Sequence, residues 1–245
     1  MIKQIHVLTL FPDVIKTYFS ESILGRAQKE GKVSLLVHNI RDKANNKHNK
    51  VDDIPFGGAT GMVIRVEPVK LMLEEINTKG AYVVMTSPQG SKLNQQKLMQ
   101  LIEKEKLIII SGHYEGIDAR ISKYVDEEIS IGEFVLTGGE LPALVIADAL
   151  VRLIPGVLGN ELSATEDSYS SGLLDWDVYT RPREFDEKQV PEVLLSGDHK
   201  KIEQWKKKSA IMNSLVHRPS VFAQYKFNLE EVKILKNLLK EDEIA

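Results

Sequence analysis

Strand-length apolar runs alternate with amphipathic stretches through the first half of the chain. The runs are Ile5–Leu10, Val33–His38, Ala81–Thr86, Leu107–Gly112 and Val125–Leu136. The segments between several of them repeat apolar residues at helical spacing, as in VEPVKLMLEEINTKG and in NQQKLMQLIEKEK, which has Asn94 as its predicted N-cap. Such alternation is typical of a mainly parallel sheet covered by helices. The pattern therefore predicts an α/β fold.

The character of the chain changes after Gly159. The stretch GNELSATEDSYSSG is polar, small and acidic, which is typical of a flexible linker. Beyond it no strand-length apolar run occurs, and DHKKIEQWKKKSA and NLEEVKILKNLLKEDE have helical patterns. A chain of 245 residues is also close to the length at which one core splits into two. We predict an α/β domain over residues 1–158, a linker over 159–171 and a small helical domain over 172–245.

Several classes of protein are excluded by composition. The chain has no cysteine, so disulfides, thiolate metal sites and cysteine nucleophiles are ruled out. Its opening lacks a signal-peptide pattern, and its longest apolar stretch is interrupted by Asp148, Arg152 and Pro155, which a membrane span would not readily tolerate. No metal-ligand spacing appears among the six histidines. We expect a soluble cytoplasmic protein without a membrane partner.

Positive charge is concentrated in two places although the formal net charge is −3. Residues 199–226 carry seven Lys and Arg against one acid, and the stretch RDKANNKHNK carries four cations against one. Each stretch alone is explained equally well by a solvated surface. Together they favour contact with phosphates, and the predicted RNA-binding residues are Lys200, Lys201, Lys206, Lys207, Lys208 and Arg218.

Three predicted strand ends carry glycine-bearing turns: MTSPQG, IISGHYEG and IGEFVLTGGE. A single such turn is usually a tight turn or a helix cap. Three of them in successive crossovers favour a cleft lined by backbone groups, which suits a flat heterocycle such as adenine. The glycine pattern of dinucleotide-binding folds and the P-loop are both absent, so neither common phosphate cradle is supported.

Six stretches together resemble the bacterial tRNA (guanine-N1)-methyltransferase family: DDIPFGGATGM, SPQG, SGHYEGIDARI, SIGEFVLTGGELPA, RLIPGVLG and SYSSGLLDWDVYTRP. The resemblance spans Ile5 to about Trp205 in one order. It implies a SPOUT-class enzyme, which binds S-adenosyl-L-methionine in a deep trefoil knot and acts as a homodimer. It also implies a target in the tRNA anticodon stem-loop, the guanosine immediately 3′ of the anticodon, preferred when the preceding base is also G.

The resemblance places the cofactor at the three turns. It implies contacts from Ser87, Pro88, Gly112, Tyr114, Glu115, Gly116, Ile131, Gly132, Glu133, Phe134, Val135, Leu136, Gly138 and Gly139. Glycine at the last two positions would let the chain pass close to the adenosine, and a side chain there should collide with ligand or with threaded backbone. The sequence has His113 where many relatives carry Arg, Phe134 where many carry Tyr, and GGATGM in its glycine loop.

Methylation of guanine N1 requires removal of the N1 proton and stabilisation of the negative charge that builds on O6. By resemblance, Asp167 is the base and Arg152 the cation. Their alternative explanations are an acid in a solvated linker and an i,i+4 partner of Asp148. The resemblance also admits a magnesium ion held by carboxylates, phosphates or the nucleotide.

Two other functions stay open from the sequence. One is a SPOUT methyltransferase that acts on another RNA or on a ribose hydroxyl, which would not need a base at Asp167. The other is a non-catalytic RNA-binding protein of the same fold, which would fail to bind the cofactor.

Overall fold

The computed structural model describes residues 1–45, 47–58, 60–159, 168–169 and 171–242, with side chains described as far as Leu238. The chain divides into two compact units, Met1–Gly159 and Asn160–Ala245. The predicted base Asp167 lies outside the described residues.

The first unit contains strands and helices in alternation. Its strands are β1 (Gln4–Thr9), β2 (Ser34–Asn39), β3 (Asp52–Asp53), β4 (Val63–Ile64), β5 (Ala81–Lys92), β6 (Lys106–Ser111) and β7 (Glu127–Ser130). Its helices are α1 (Pro12–Ser20), α2 (Ser22–Lys29), α3 (Val66–Ile76), α4 (Gln95–Leu101) and α5 (Glu140–Val151), with 3₁₀ turns at Ile40–Lys43 and Ala119–Tyr124. Asn94 caps α4 as predicted, since its side chain accepts a hydrogen bond of 2.8 Å from Lys97 N–H.

The main sheet has the order β2-β1-β6-β5-β7, and all of its pairings are parallel. This confirms the predicted α/β class. Its strands alternate side chains between two apolar layers. Ile5, Val7 and Ile109 pack with α1, α2, α4 and α5 on one face, whereas Leu8 and Ile108 pack with α3 on the other. The carboxyl end of β6 therefore lies beside Thr86 of β5, and that of β7 beside Lys92 of β5.

Two predicted elements differ from the structure in this region of the sheet. The MTSPQG segment does not end a strand, because β5 continues to Lys92 with a register shift between Thr86 and Ser91. Pro88 has no N–H to donate within the shift, so the ladder is interrupted there. The predicted strand Val125–Leu136 is correct only over Glu127–Ser130. After it, Ser130 Oγ donates to Gly132 O at 3.0 Å, and the chain turns away from the sheet.

A half-buried carboxylate fastens the edge strand β7 to its neighbours. Glu127 Oε1 accepts hydrogen bonds of 2.6 Å from Lys97 Nζ and from Ser91 Oγ, and Tyr82 donates to Oε2 at 3.2 Å. Burial acts to raise the pKa of Glu127, but the hydrogen bonds from Lys97, Ser91 and Tyr82 outweigh it and lower the pKa. The anion thus ties β7 to β5 and α4.

The second unit is mainly helical where it is described. It contains β8 (Glu184–Phe185), β9 (Lys188–Gln189), α6 (Glu192–Leu195), α7 (His199–His217), α8 (Pro219–Gln224) and α9 (Leu229–Asp242). The two long helices cover the predicted helical patterns, and a small core forms around Leu173, Ile211 and Leu238. Within the described residues, no helix is both long and apolar enough to cross a membrane.

Candidate cofactor cavity and cationic residues

The three glycine-bearing segments meet around one cavity of about 290 Å³, which lies beside the register shift in β5 and the carboxyl ends of β6 and β7. Its lining consists of Thr86–Pro88, Gly112–Gly116, Ile129–Gly132, Phe134–Gly139 and Pro142. These segments are distant in sequence and meet only because β6 lies beside β5 and β5 beside β7.

Every residue predicted to contact the cofactor lines this cavity except Glu133. The side chain of Glu133 is 93% exposed, with its carboxylate 3.7 Å from Lys92 Nζ, so it points into solvent from the tip of its turn. The prediction for Glu133 rested on its place within a contiguous run, and a tight turn does not direct every side chain inward. Glu133 is therefore not a lining residue.

Six lining residues were not among the predicted contacts: Thr86, His113, Ile129, Ser130, Thr137 and Pro142. Each lies in or directly beside one of the three turns that the sequence singled out. Their closeness in sequence to these turns was enough to include them among the predicted contacts. Their orientation towards the cavity is seen only in the structure.

Gly139 lies where two stretches of backbone approach closely. Its N–H donates to Gly112 O at 2.7 Å, and a Cβ added to Gly139 would lie 2.8 Å from Gly112 N and collide with Thr86 Oγ1. The expected collision with backbone is thus found at this position. Gly138 differs, because a Cβ there would collide with the side chains of Glu140 and His113.

The chemistry of the cavity suits a flat, partly apolar ligand. Five of its lining residues are glycines, which offer only backbone groups, and Phe134 and Val135 are 56% and 86% exposed. Large exposed apolar side chains beside backbone donors and acceptors are the usual setting for an aromatic heterocycle. The residues present therefore fit an adenosine-containing cofactor.

Tyr114 connects the cavity to the basic stretch near residue 41. Its backbone is left-handed, with φ +59°, an uncommon conformation for a residue with a side chain. The ring packs edge-on against His113 with centroids 4.9 Å apart, and its hydroxyl accepts a hydrogen bond of 3.4 Å from Arg41 Nη2. A cation of the first basic stretch thus contacts a side chain that lines the cavity.

Glu115 lies against the glycine loop of residues 52–61. Its N–H donates to Met62 O at 3.0 Å, and its side chain occupies the space that a Cβ on Gly61 would need. The glycine loop belongs to one of the six stretches that carry the resemblance, and the structure brings it into contact with a residue that lines the cavity.

Arg152 does not line the cavity. It caps the C-terminal end of α5, whereas Gly139 and Pro142 meet the cavity at the other end of that helix. Asp148, the i,i+4 partner considered for Arg152 from the sequence, accepts a hydrogen bond of 2.8 Å from the Tyr18 hydroxyl through its carboxylate. The structure thus separates the predicted cation from the predicted cofactor site within one chain.

The predicted RNA-binding cations cluster on α7 and at its C-terminal cap, Arg218. Some are already engaged with acids: Lys207 Nζ lies 3.0 Å from Glu230, and Lys206 Nζ lies 2.9 Å from Glu203 and 4.6 Å above the Trp176 ring. Lys200, Lys201 and Arg218 are exposed, and of these Lys201 has its Nζ 3.6 Å from Asp198. The cations of this cluster therefore differ in how readily they can contact a phosphate.

No metal-binding cluster of three or more His, Cys, Asp or Glu side chains occurs within the described part of the chain.

Comparison with known proteins identifies relatives over nearly the whole length. A family model described as tRNA (Guanine-1)-methyltransferase TrmD matches residues 3–224. A protein of Syntrophomonas wolfei named tRNA (guanine-N(1)-)-methyltransferase is 46% identical over 236 residues, covering 96% of this chain and 97% of that protein.

Two further relatives carry the same name. One from Staphylococcus carnosus is 48% identical over 240 residues, covering 97% of this chain and 98% of its own. One from Carboxydothermus hydrogenoformans is 50% identical over 216 residues, covering 88% and 85%.

Proposed function

The chain belongs to the tRNA (guanine-1)-methyltransferase family. From this premise we propose the residues and the oligomeric state with which it forms 1-methylguanosine in tRNA. The methyl donor is S-adenosylmethionine, held in the cavity between the three turns. The observation that carries this assignment is the convergence of those turns, with Gly139 N–H bonded to Gly112 O, on a cavity with an exposed apolar rim.

The cofactor, when bound, supplies an electrophilic methyl group, so the protein needs to position it and to prepare guanine N1. Asp167 accepts the N1 proton. The Arg152 guanidinium stabilises the negative charge that develops on O6, because a fixed cation in a water-poor site is already oriented for that charge. The bent cofactor rests on the turn of Gly138 and Gly139.

The separation within α5 supports a homodimeric site. Twelve residues of helix span about 18 Å, so Arg152 and the cavity of the same chain are far apart. In the proposed dimer, the cavity of one protomer faces Arg152 of the other. Phe11, Val14, Tyr18, Leu141 and Val145 are apolar or aromatic, exposed and situated on or beside α1 and α5, and they form the proposed contact face.

The same turns support a trefoil knot. His113 and Gly138 form an antiparallel bridge, and Gly139 lies against the backbone of Ser111 and Gly112. The segment after β7 therefore passes close to the end of β6, which is the arrangement that threading the chain through a loop would produce. Knotted chains are rare, so pattern rules alone would reject this topology.

We assign the RNA contact to Lys200, Lys201, Lys206, Lys207, Lys208 and Arg218, which would hold phosphates of the anticodon stem. The target is the guanosine immediately 3′ of the anticodon, extruded into the site at the dimer interface. We also propose that the enzyme acts in the cytoplasm, where it would meet its tRNA substrate, and that a magnesium ion would be held mainly by the RNA.

The test uses labelled S-adenosylmethionine with two tRNA transcripts that differ only in having G or A immediately 3′ of the anticodon. Nuclease digestion and mass spectrometry then locate the methyl group. Methylation at N1 of the G transcript alone is the expected result. Cofactor binding without methyl transfer to either transcript would contradict the assigned target.

A further inference from the structure

A chain of polar side chains lies beneath the Gly138 turn. Glu140 is 7% exposed and opens α5. Its Oε1 accepts a hydrogen bond of 2.8 Å from Thr9 Oγ1, and Thr9 Oγ1 accepts one of 2.9 Å from Phe11 N–H. Its Oε2 lies 3.5 Å from His113 Nδ1. The end of β1, the turn after β6 and the start of α5 are thus joined through one carboxylate.

The His113 ring is fixed on both sides. Its centroid lies 4.7 Å from that of Phe11 and 4.9 Å from that of Tyr114, with interplanar angles of 52° and 89°. Nδ1 is buried and has no hydrogen-bond partner within the described residues, whereas about 20% of the side chain is exposed beside the cavity. The two ring contacts hold His113 beside Glu140, and a movement of a few tenths of an ångström would bring Nδ1 within hydrogen-bonding distance of the carboxylate.

Gly138 lies directly against this pair. A Cβ on Gly138 would collide with both Glu140 Oε2 and His113 Nδ1, and the backbones of His113 and Gly138 form a β-bridge. Any change in the separation of the two side chains therefore acts on the turn that borders the cavity. A buried carboxylate also requires donors, since an uncompensated one is costly.

We propose that His113 is a positioning residue whose Nδ1–H, donated to Glu140, holds the Gly138–Gly139 turn in the shape that receives the cofactor. This inference rests on the proposed binding of S-adenosylmethionine in the cavity. The contribution comes from the nitrogen that faces Glu140, not from the bulk of the ring.

Two variants separate the nitrogen from the bulk. His113→Asn places an amide N–H near the position of Nδ1, and His113→Gln places it near Nε2. Both remove the ring and its contacts with Phe11 and Tyr114. The readouts are the Kd for S-adenosylmethionine by calorimetry, the thermal unfolding temperature and kcat at saturating cofactor, all on the full-length chain.

We expect His113→Asn to bind the cofactor within about threefold of the unsubstituted chain and His113→Gln to bind at least about tenfold more weakly, because only the former keeps a donor for the carboxylate. The unfolding temperature of His113→Gln should not exceed that of His113→Asn, because the buried carboxylate keeps fewer donors in His113→Gln, and kcat at saturation should differ little. Equal affinities, or loss of folding in both variants, would overturn the inference. Failure of the unsubstituted chain to bind S-adenosylmethionine would instead refute the proposed function.

Discussion

Arg152 and Gly139 lie at opposite ends of α5, the first at its C-terminal cap and the second at its N-terminal cap. A helix keeps its two ends at a fixed separation, so no local rearrangement brings the guanidinium of Arg152 to the cavity of its own chain. A second protomer supplies it in the proposed site.

Mixed dimers test this arrangement. Gly138→Ala should disable the cofactor cavity, and Arg152→Ala should disable charge stabilisation, so each homodimer is expected to lose most of its methyl transfer. After the two are unfolded and refolded together, about one quarter of the wild-type activity should return, since half of the dimers are mixed and each has one intact site. The measurement is methyl transfer per protomer.

A site built within one chain gives a different result. Every site in a mixed dimer would then carry one defect, and co-refolding would restore nothing. Refolded wild-type protein serves as the control for recovery, and the cofactor Kd of Arg152→Ala should match that of wild type.

Alanine at Gly139 should damage binding and stability together. The added Cβ would lie 2.8 Å from Gly112 N, and backbone cannot move aside as the end of a side chain can. We expect no measurable cofactor binding by calorimetry and an unfolding temperature lower by about 2–8 °C. Gly159→Ala is the matched control, because a Cβ at Gly159 meets no atom of the described residues within 4 Å. Similar behaviour of the two variants would refute the close-approach explanation.

The lysines of α7 should differ in their contribution to tRNA affinity. Lys200 is exposed, whereas Lys207 Nζ already lies 3.0 Å from Glu230. In a plot of log affinity against log salt concentration, Lys200→Ala should reduce the magnitude of the slope by about 1 and Lys207→Ala by less. Cofactor affinity should be unchanged in both. Equal slopes for the two variants would show that the ion pair does not limit phosphate contact.

Acid should weaken the first unit through His6. Burial lowers the pKa of His6 from 6.5 to about 4, helped by the charges of His38 and Lys106. As the pH falls, the His6 imidazole is therefore protonated in the unfolded chain before it is protonated in the folded one. The free energy of unfolding decreases as the pH drops from about 6.5 towards 4. At pH 5 the loss attributable to His6 is about 2 kcal/mol.

Urea unfolding at pH 7 and pH 5 measures this loss. The variant His6→Gln should lose less stability than wild type over the same interval. His217→Gln is the control, because His217 is exposed at the end of α7. An identical pH dependence in wild type and His6→Gln would contradict the assignment.

The parallel sheet was predictable because each buried strand is a short run of consecutive apolar residues, which is visible in the local sequence. The runs around Ile5 and Ile109 correspond to strands that are buried on both faces. The ends of β5 and β7 were not predictable in the same way, since the register shift after Thr86 and the turn at Gly132 depend on strands distant in sequence.

The cavity was foreseen as a set of turns but not as an arrangement of side chains. Glu133 and His113 lie in neighbouring turns, yet one side chain points into solvent and the other lines the cavity. Nor does periodicity reveal why Gly138 requires a glycine, because the atoms that exclude a side chain belong to His113 and Glu140, brought there by the fold.

The hydrogen bond from Thr9 to Glu140 joins residues that are 131 positions apart. Because the entropy lost in closing so long a loop has to be compensated by other contacts, we expect this bond to form late on the folding pathway. During synthesis, Thr9 leaves the ribosome long before its acceptor does. A nascent chain that ends before Glu140 lacks this carboxylate, and in the proposed site we expect the cofactor to favour the folded state only after α5 has emerged.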